Sequence, residues 1–191
     1  MPIVEAASFR LPITATIRSR LVATVLAVSA AVVLPQFLHI LGAAAGVGPG
    51  PAQALLPMHF PVLLVGLLAG PAVGMVTGLL GPLLAFALSG MPAAAMLPFM
   101  MMELATYGLV AGLLARHRMP VVWKVLVVQV AGRLARLVAI AVAQFGFGVQ
   151  DVSLVAVWDA VVTGWPGIAL QLCLIPLIIH WLERRHDHAG R

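Results

Sequence analysis

An all-α polytopic membrane protein with six transmembrane helices is the fold class that three observations predict. Of the 191 residues, 62% are hydrophobic and only 9% are charged, and the mean hydropathy is +1.10. Soluble domains carry about 25% charged residues, so this chain lacks the polar side chains to cover a surface facing water. Its apolar residues also fall into six runs of roughly the length that crosses a bilayer, about 20 residues each. Finally, its Lys and Arg residues gather in segments that six crossings bring to one side.

The first run, Leu21 to Leu41, follows a segment with Glu5, Arg10, Arg18 and Arg20. That charge pattern reads as a cytoplasmic tail over 1–19, not as a cleaved leader. Gly42 to Pro51 ("GAAAGVGPGP") reads as a loop, and Leu56 to Ala69 as the second span. The tight turn Gly70-Pro71 leads into a third span from Ala72 to Leu88. "SGMPAAAMLP" interrupts the run before a fourth span, Met96 to Ala115. The fifth covers Val121 to Phe145 and the sixth Val155 to Leu182. The membrane domain is thus expected over 20–183, with a second cytoplasmic tail over 184–191.

Orientation follows from the basic residues. Arg10, Arg18 and Arg20 precede span one; Arg116, Arg118 and Lys124 flank the turn between spans four and five; Arg184, Arg185 and Arg191 follow span six. Loops 42–55, 89–95 and 146–154 hold no Lys or Arg. The excess of basic residues in short cytoplasmic loops places both termini in the cytoplasm. The net charge of +5 is therefore topology in a lipid bilayer and gives no reason to expect nucleic acid.

Nine of the eleven basic residues are thereby explained; Arg133 and Arg136 are not. Arg133 lies nine residues past Lys124, roughly 13 Å into the span at 1.5 Å per residue. An arginine near the centre of a span costs about 2.5–3.5 kcal/mol on insertion scales. Gln129, Arg133 and Arg136 share a face at i, i+4, i+7, which Gln144 extends, so that face should turn toward protein or a watery cavity. Glu103, Thr106 and Tyr107 make a second stripe on span four. Pairing of Glu103 with Arg133 or Arg136 would remove much of the penalty. One cation would be left over for an anionic ligand, unless the pair only fixes helix packing. Span six carries Asp159, Thr163 and Gln171, with Trp165-Pro166-Gly167 between them.

"LPMHFPVLLVGLLAG" (56–70) places His59 between Pro57 and Pro61. Irregular backbone at membrane depth is tolerated where protein or a water-filled cavity covers it. His59 is therefore expected either to face such a cavity or to cap the helix on a neighbouring carbonyl. Gln36 and His39 sit at the outer end of span one. The run Met96, Met100, Met101, Met102 suits adaptable packing or a bulky apolar ligand. Ala23, Ala27 and Ala31 form a small-residue stripe that would let another helix approach closely. Enzymatic patterns are thin: no HExxH, no Walker A, no paired carboxylates on a helix and no metal-ligand spacing, with His186 and His188 in a polar tail. Cys173 is alone, so no internal disulfide can form. No cofactor and no enzymatic activity are expected.

The stretches "LPMHFPVLLVGLLAGP" (56–71), "GLLGPLLAFALSGMP" (78–92), "MMELATYGLVAGLL" (101–114), "GRLARL" (132–137) and "TGWPGIALQLCLIPLII" (163–179) together resemble, in content and order, the substrate-binding S component of energy-coupling factor (ECF) vitamin transporters. That resemblance implies six helices in a prokaryotic plasma membrane and a vitamin or related micronutrient bound near the outer face. The outer loops would close over the ligand. The partners it implies are a T-type membrane coupling subunit, docked on Ala23, Ala27 and Ala31, and two ATPase subunits. Ligand-facing positions would be His59, Met91 and Glu103, with Arg133, Arg136, Asp159 and Gln171 around them. The chain lacks the arginine-asparagine signature of folate members and the aromatic richness of thiamin members. A carboxylated vitamin such as pantothenate fits the spare arginine; a corrinoid fits the Met-rich wall, with His59 as a cobalt ligand. Three other classes stay open: a structural or assembly protein, an intramembrane enzyme using Glu103 and His59, and an ion-coupled carrier with Glu103 as its proton site.

Overall fold

The computed structural model describes residues 16–149 and 151–189; Glu5, Arg10 and Arg191 lie outside them. Every regular element among the described residues is an α-helix: α1 (Ile17–Ala44), α2 (Gly50–Leu55), α3 (His59–Ala69), α4 (Pro71–Ser89), α5 (Leu97–Leu114), α6 (Val121–Phe147) and α7 (Val155–Ala189). Counting α2 and α3 together as Gly50–Ala69, six are long and apolar enough to cross a membrane.

Several boundaries differ from the sequence reading: α1 and α6 run two or three residues further, to Ala44 and Phe147, and α7 continues to Ala189, past the expected end at Leu182 and into the expected tail. The first helix starts at Ile17, before Leu21, because Thr16 and Ser19 form a reciprocal cap: Ser19 N–H donates to Thr16 Oγ1 at 3.3 Å, satisfying an otherwise orphaned first-turn donor. The second crossing is broken in two. Gly50-Pro51 starts α2 with proline in the first turn, where its missing N–H is not needed. Leu56 then takes the left-handed conformation (φ 48°, ψ 50°), and His59 opens α3. Pro57 lies in the junction and Pro61 in the first turn of α3, so neither removes a helical hydrogen bond.

The bundle is organised around α5, which packs most extensively on α4 and then on α6 and α3. Glycine makes this possible. Gly74 and Gly78 on α4 face Gly108 and Leu104 of α5 backbone to backbone, and a Cβ on any of the three glycines would collide with the opposite main chain. Gly112 meets Pro71 in the same way, and Gly66 of α3 stands against Gly108 and Ala111. The repeats G74-M-V-T-G78 and G108-L-V-A-G112 are small-residue interfaces of the kind that let membrane helices approach closely. On the other side, Gly132 of α6 leaves room for the ring of Tyr107. The core around these contacts includes Leu63, Leu104, Tyr107, Val125, Val128 and Ile175.

The alanine stripe of α1 is turned largely into this same bundle. Ala31 is fully buried, with Gly81 of α4 opposite it, and Ala27 packs with Val65, Ala69 and Val73, with Ala23 alongside. Small side chains here seat α1 on its own α3 and α4, so Ala31 is closed to a second chain. Ala23 and Ala27 instead line a largely apolar groove of about 720 Å³ between α1 and α3.

Candidate ligand-binding site

Three helices bring charge to one point. Glu103 lies on the seventh residue of α5 and is completely buried. Its Oε1 stands 2.8 Å from Arg133 Nη1 and its Oε2 3.0 Å from Arg136 Nη1, both on α6. The carboxylate is thus shared between both arginines, one oxygen to each. His59, at the start of α3, places Nε2 3.7 Å from Glu103 Oε1 and its ring against Tyr107. The imidazole caps no carbonyl.

The two guanidinium groups are not equivalent. Arg136 Nη1 donates a well-formed hydrogen bond to Glu103, and its Nη2 approaches Met96 Sδ at 3.7 Å. Arg133 is an ion-pair partner only, because its N–H groups are not aimed at the carboxylate. Nε, Nη1 and Nη2 are all buried without a hydrogen-bond partner among the described residues. Both ring nitrogens of His59 and Arg136 Nε are in the same condition. Buried donors are almost always paired, so a cluster of unpaired ones needs a physical explanation.

That explanation is a cavity of about 550 Å³ directly over the cluster, well inside the about 300–1,000 Å³ of small-molecule sites. Glu103, Arg133, Arg136 and His59 form its polar floor. Its walls are apolar: Pro35 of α1, Leu56, Met58, Ala85 of α4, Met96 and Met100. Gln36, His39, Gln53, Met91, Asp159 and Thr163 complete the lining, with Met91 and Asp159 exposed. The cavity gathers the later parts of α1 and α4, the middle of α6 and the starts of α3, α5 and α7. Arg18 and Arg20, the α5–α6 turn with Arg116 and Arg118, and Arg184 and Arg185 are therefore at the opposite ends of their helices. At that end Lys124 Nζ donates to Ala115 O at 3.1 Å, a cation on the C-terminus of α5 where the helix dipole favours one.

Of the expected ligand-facing residues, His59, Met91, Glu103, Arg133, Arg136 and Asp159 meet in this cavity. Gln171 does not reach it. It is buried behind the floor, where its Oε1 accepts from Gln129 Nε2 at 2.5 Å and its Nε2 donates to Leu56 O at 3.5 Å. Gln129 Oε1 in turn lies 2.9 Å from the Tyr107 hydroxyl, itself 3.2 Å from Glu103 Oε1. A polar relay therefore joins the floor to the left-handed junction at Leu56. Gly164 and Gly167 of α7 make room for that junction, with Leu56 and the Leu55 carbonyl against them, which accounts for "TGWPG". Gln53 and Leu56 went unnoticed in the sequence because a lone amide in an alanine-rich loop and a leucine among leucines carry no signal.

The model of the "ECF transporter, substrate-specific component" family matches residues 13–179, nearly the whole membrane domain. The chain belongs to this family. No curated protein and no solved structure matches it significantly. ECF S components are the substrate-binding subunits of transporters and not enzymes. They associate with membrane coupling and ATPase subunits, and this S component is accordingly a multi-pass membrane protein. Among its described residues no group of three His, Cys, Asp or Glu side chains could hold a metal ion.

Proposed function

We propose that this S component captures a vitamin or related micronutrient in the 550 Å³ cavity from the outer side of a prokaryotic plasma membrane. Release inward would require a T-type coupling subunit and two ATPases. The observation that carries this reading is the set of buried, unpaired donors on Arg133, Arg136 and His59 at the cavity floor. A protein using its intramembrane charges only to lock helices would pair them and fill the space above.

Arg18, Arg20, Arg116, Arg118, Arg184 and Arg185, at the ends of their helices away from the cavity, support an outward-facing mouth under the positive-inside rule. Of the segments between helices, the one linking α4 to α5 lines the cavity through Met91, Pro92 and Ala93; it would close over the ligand together with those linking α1 to α2 and α6 to α7. The α1–α3 groove floored by Ala23 and Ala27 is the surface we assign to the T subunit. With ligand sealed in, the bundle would tilt against that subunit to turn the mouth inward, and ATP hydrolysis would fall to the partner chains, since this chain has no Walker A sequence.

Native mass spectrometry of the purified protein tests the capture role: a co-purifying small molecule in defined stoichiometry is expected. A ligand-free protein that no vitamin stabilises against heat would overturn it. Uptake measured in cells with and without the T subunit and ATPases separates this role from an ion-coupled carrier, which would import without them.

A further inference from the structure

We infer that the ligand of this cavity is an organic monoanion, a carboxylate on an otherwise uncharged and largely apolar body, with its head on Arg133. The inference rests on the capture role and names the chemistry of what is captured.

Charge balance comes first. The floor holds two guanidinium groups and one carboxylate, so with a neutral imidazole it carries one positive charge in a buried setting, offset only by the exposed Asp159 at the rim. Isolated buried charges are costly and are normally paired. A single negative charge neutralises the floor; a dianion would reverse its sign, and a cation would add to the surplus.

Geometry selects the residue. Arg136 is committed to Glu103 and Met96, whereas Arg133 has no hydrogen bond from any of its three nitrogens. A planar guanidinium with free donors matches the two oxygens of a carboxylate as a bidentate pair. Glu103, 2.8 Å from Nη1, holds the Arg133 side chain at the floor and leaves Nε and Nη2 as the pair of donors without a partner. Above the floor, Met58, Met96, Met100 and Leu56 offer apolar, adaptable contact, which suits an uncharged body. The exposed Asp159 at the rim would repel a second negative group. A corrinoid held through His59 fits poorly: the imidazole is only 4% exposed, sunk between Glu103 and Tyr107, out of reach of a metal at the centre of a wide macrocycle.

The test uses the full-length protein in detergent. Small molecules released on denaturation are identified by mass spectrometry. In parallel, wild type is screened by thermal shift against vitamin-sized monocarboxylic acids, each beside its primary amide. The released compound is expected to carry one carboxylate, and at least one acid should stabilise where its amide does not. Arg133→Gln should weaken binding of that acid about 10–100-fold while the protein still melts cooperatively. Arg133→Lys, which keeps the charge but loses the fork, should fall between the two. A neutral, cationic or dianionic released ligand would overturn the monoanion assignment and leave the capture role standing. So would a panel in which no acid outperforms its amide. Unchanged affinity in Arg133→Gln would overturn the assignment of the head to Arg133.

Discussion

At the scale of single residues, stability and binding are divided between neighbours. Glu103 is the shared counter-charge of two buried guanidinium groups, so Glu103→Gln should leave both without one. Breaking a buried ion pair by removing one partner costs about 3–5 kcal/mol, and that loss is expected in thermal or chemical melts of the ligand-free protein. Arg133→Gln should behave in the opposite way. Arg136 retains the carboxylate and the surplus charge is removed, so the ligand-free variant is expected within about 1 kcal/mol of wild type. A melt in which both variants are equally damaged would show that Arg133 is needed to hold the helices together. Much at this scale is legible in the sequence, because a charge deep in an apolar run is conspicuous: Glu103, Arg133 and Arg136 stand out by spacing and depth, and His59 by the prolines on either side of it. What spacing could not reveal was that one carboxylate serves both arginines. Nor could it show that Gln171, on the same span as Asp159, turns behind the floor to Gln129 and Leu56. Those outcomes depend on helix rotation, which a sequence dominated by Ala, Val and Leu leaves undetermined.

Between elements, glycine sets the distances. Gly108 stands against the main chain of Gly74, so Gly108→Val should wedge α4 from α5, at a cost of about 1–3 kcal/mol or more for over-packing. Gly146→Ala, whose added atom would meet nothing closer than 3.9 Å, should stay within about 0.5 kcal/mol. Size-exclusion profiles and melting curves of the two compare them directly. Gln171→Leu cuts the relay from Tyr107 to the Leu56 junction and orphans a Gln129 amide, for about 1–3 kcal/mol. Faster hydrogen exchange over residues 55–59 is the specific sign to look for. Six spans were readable from hydropathy and turn residues, since length and apolarity suffice for that. The division of the second crossing was signalled only by Pro57 and Pro61. The sequence offers the alanines of α1 as the stripe for another helix or a T subunit, whereas the closest backbone approach within the bundle lies at the glycines of α4 and α5. Both stripes satisfy the same small-residue rule, and sequence gives no measure of which helices end up adjacent.

For the molecule as a whole, the basic segments and the cavity occupy opposite ends, and the positive-inside rule turns that polarity into a topology. In a Cys173→Ser background, Ala94→Cys should react with a membrane-impermeant maleimide in intact cells, and His117→Cys only after the membrane is opened. The reverse labelling would point the mouth into the cell. The depth of Glu103 has one last consequence. It lies six residues into α5, about 9 Å from the start of the helix at 1.5 Å per residue, and below it residues 104–114 continue for about 16 Å. That lower stretch is stoppered by Leu104, Tyr107, Ala111, Val125 and Val128, all with no accessible surface. Among the described residues the cavity is thus a well closed at its floor. A solute captured there as proposed would have descended only about a third of the way along α5, with those packed side chains beneath it, and would pass onward only if the vessel itself were overturned.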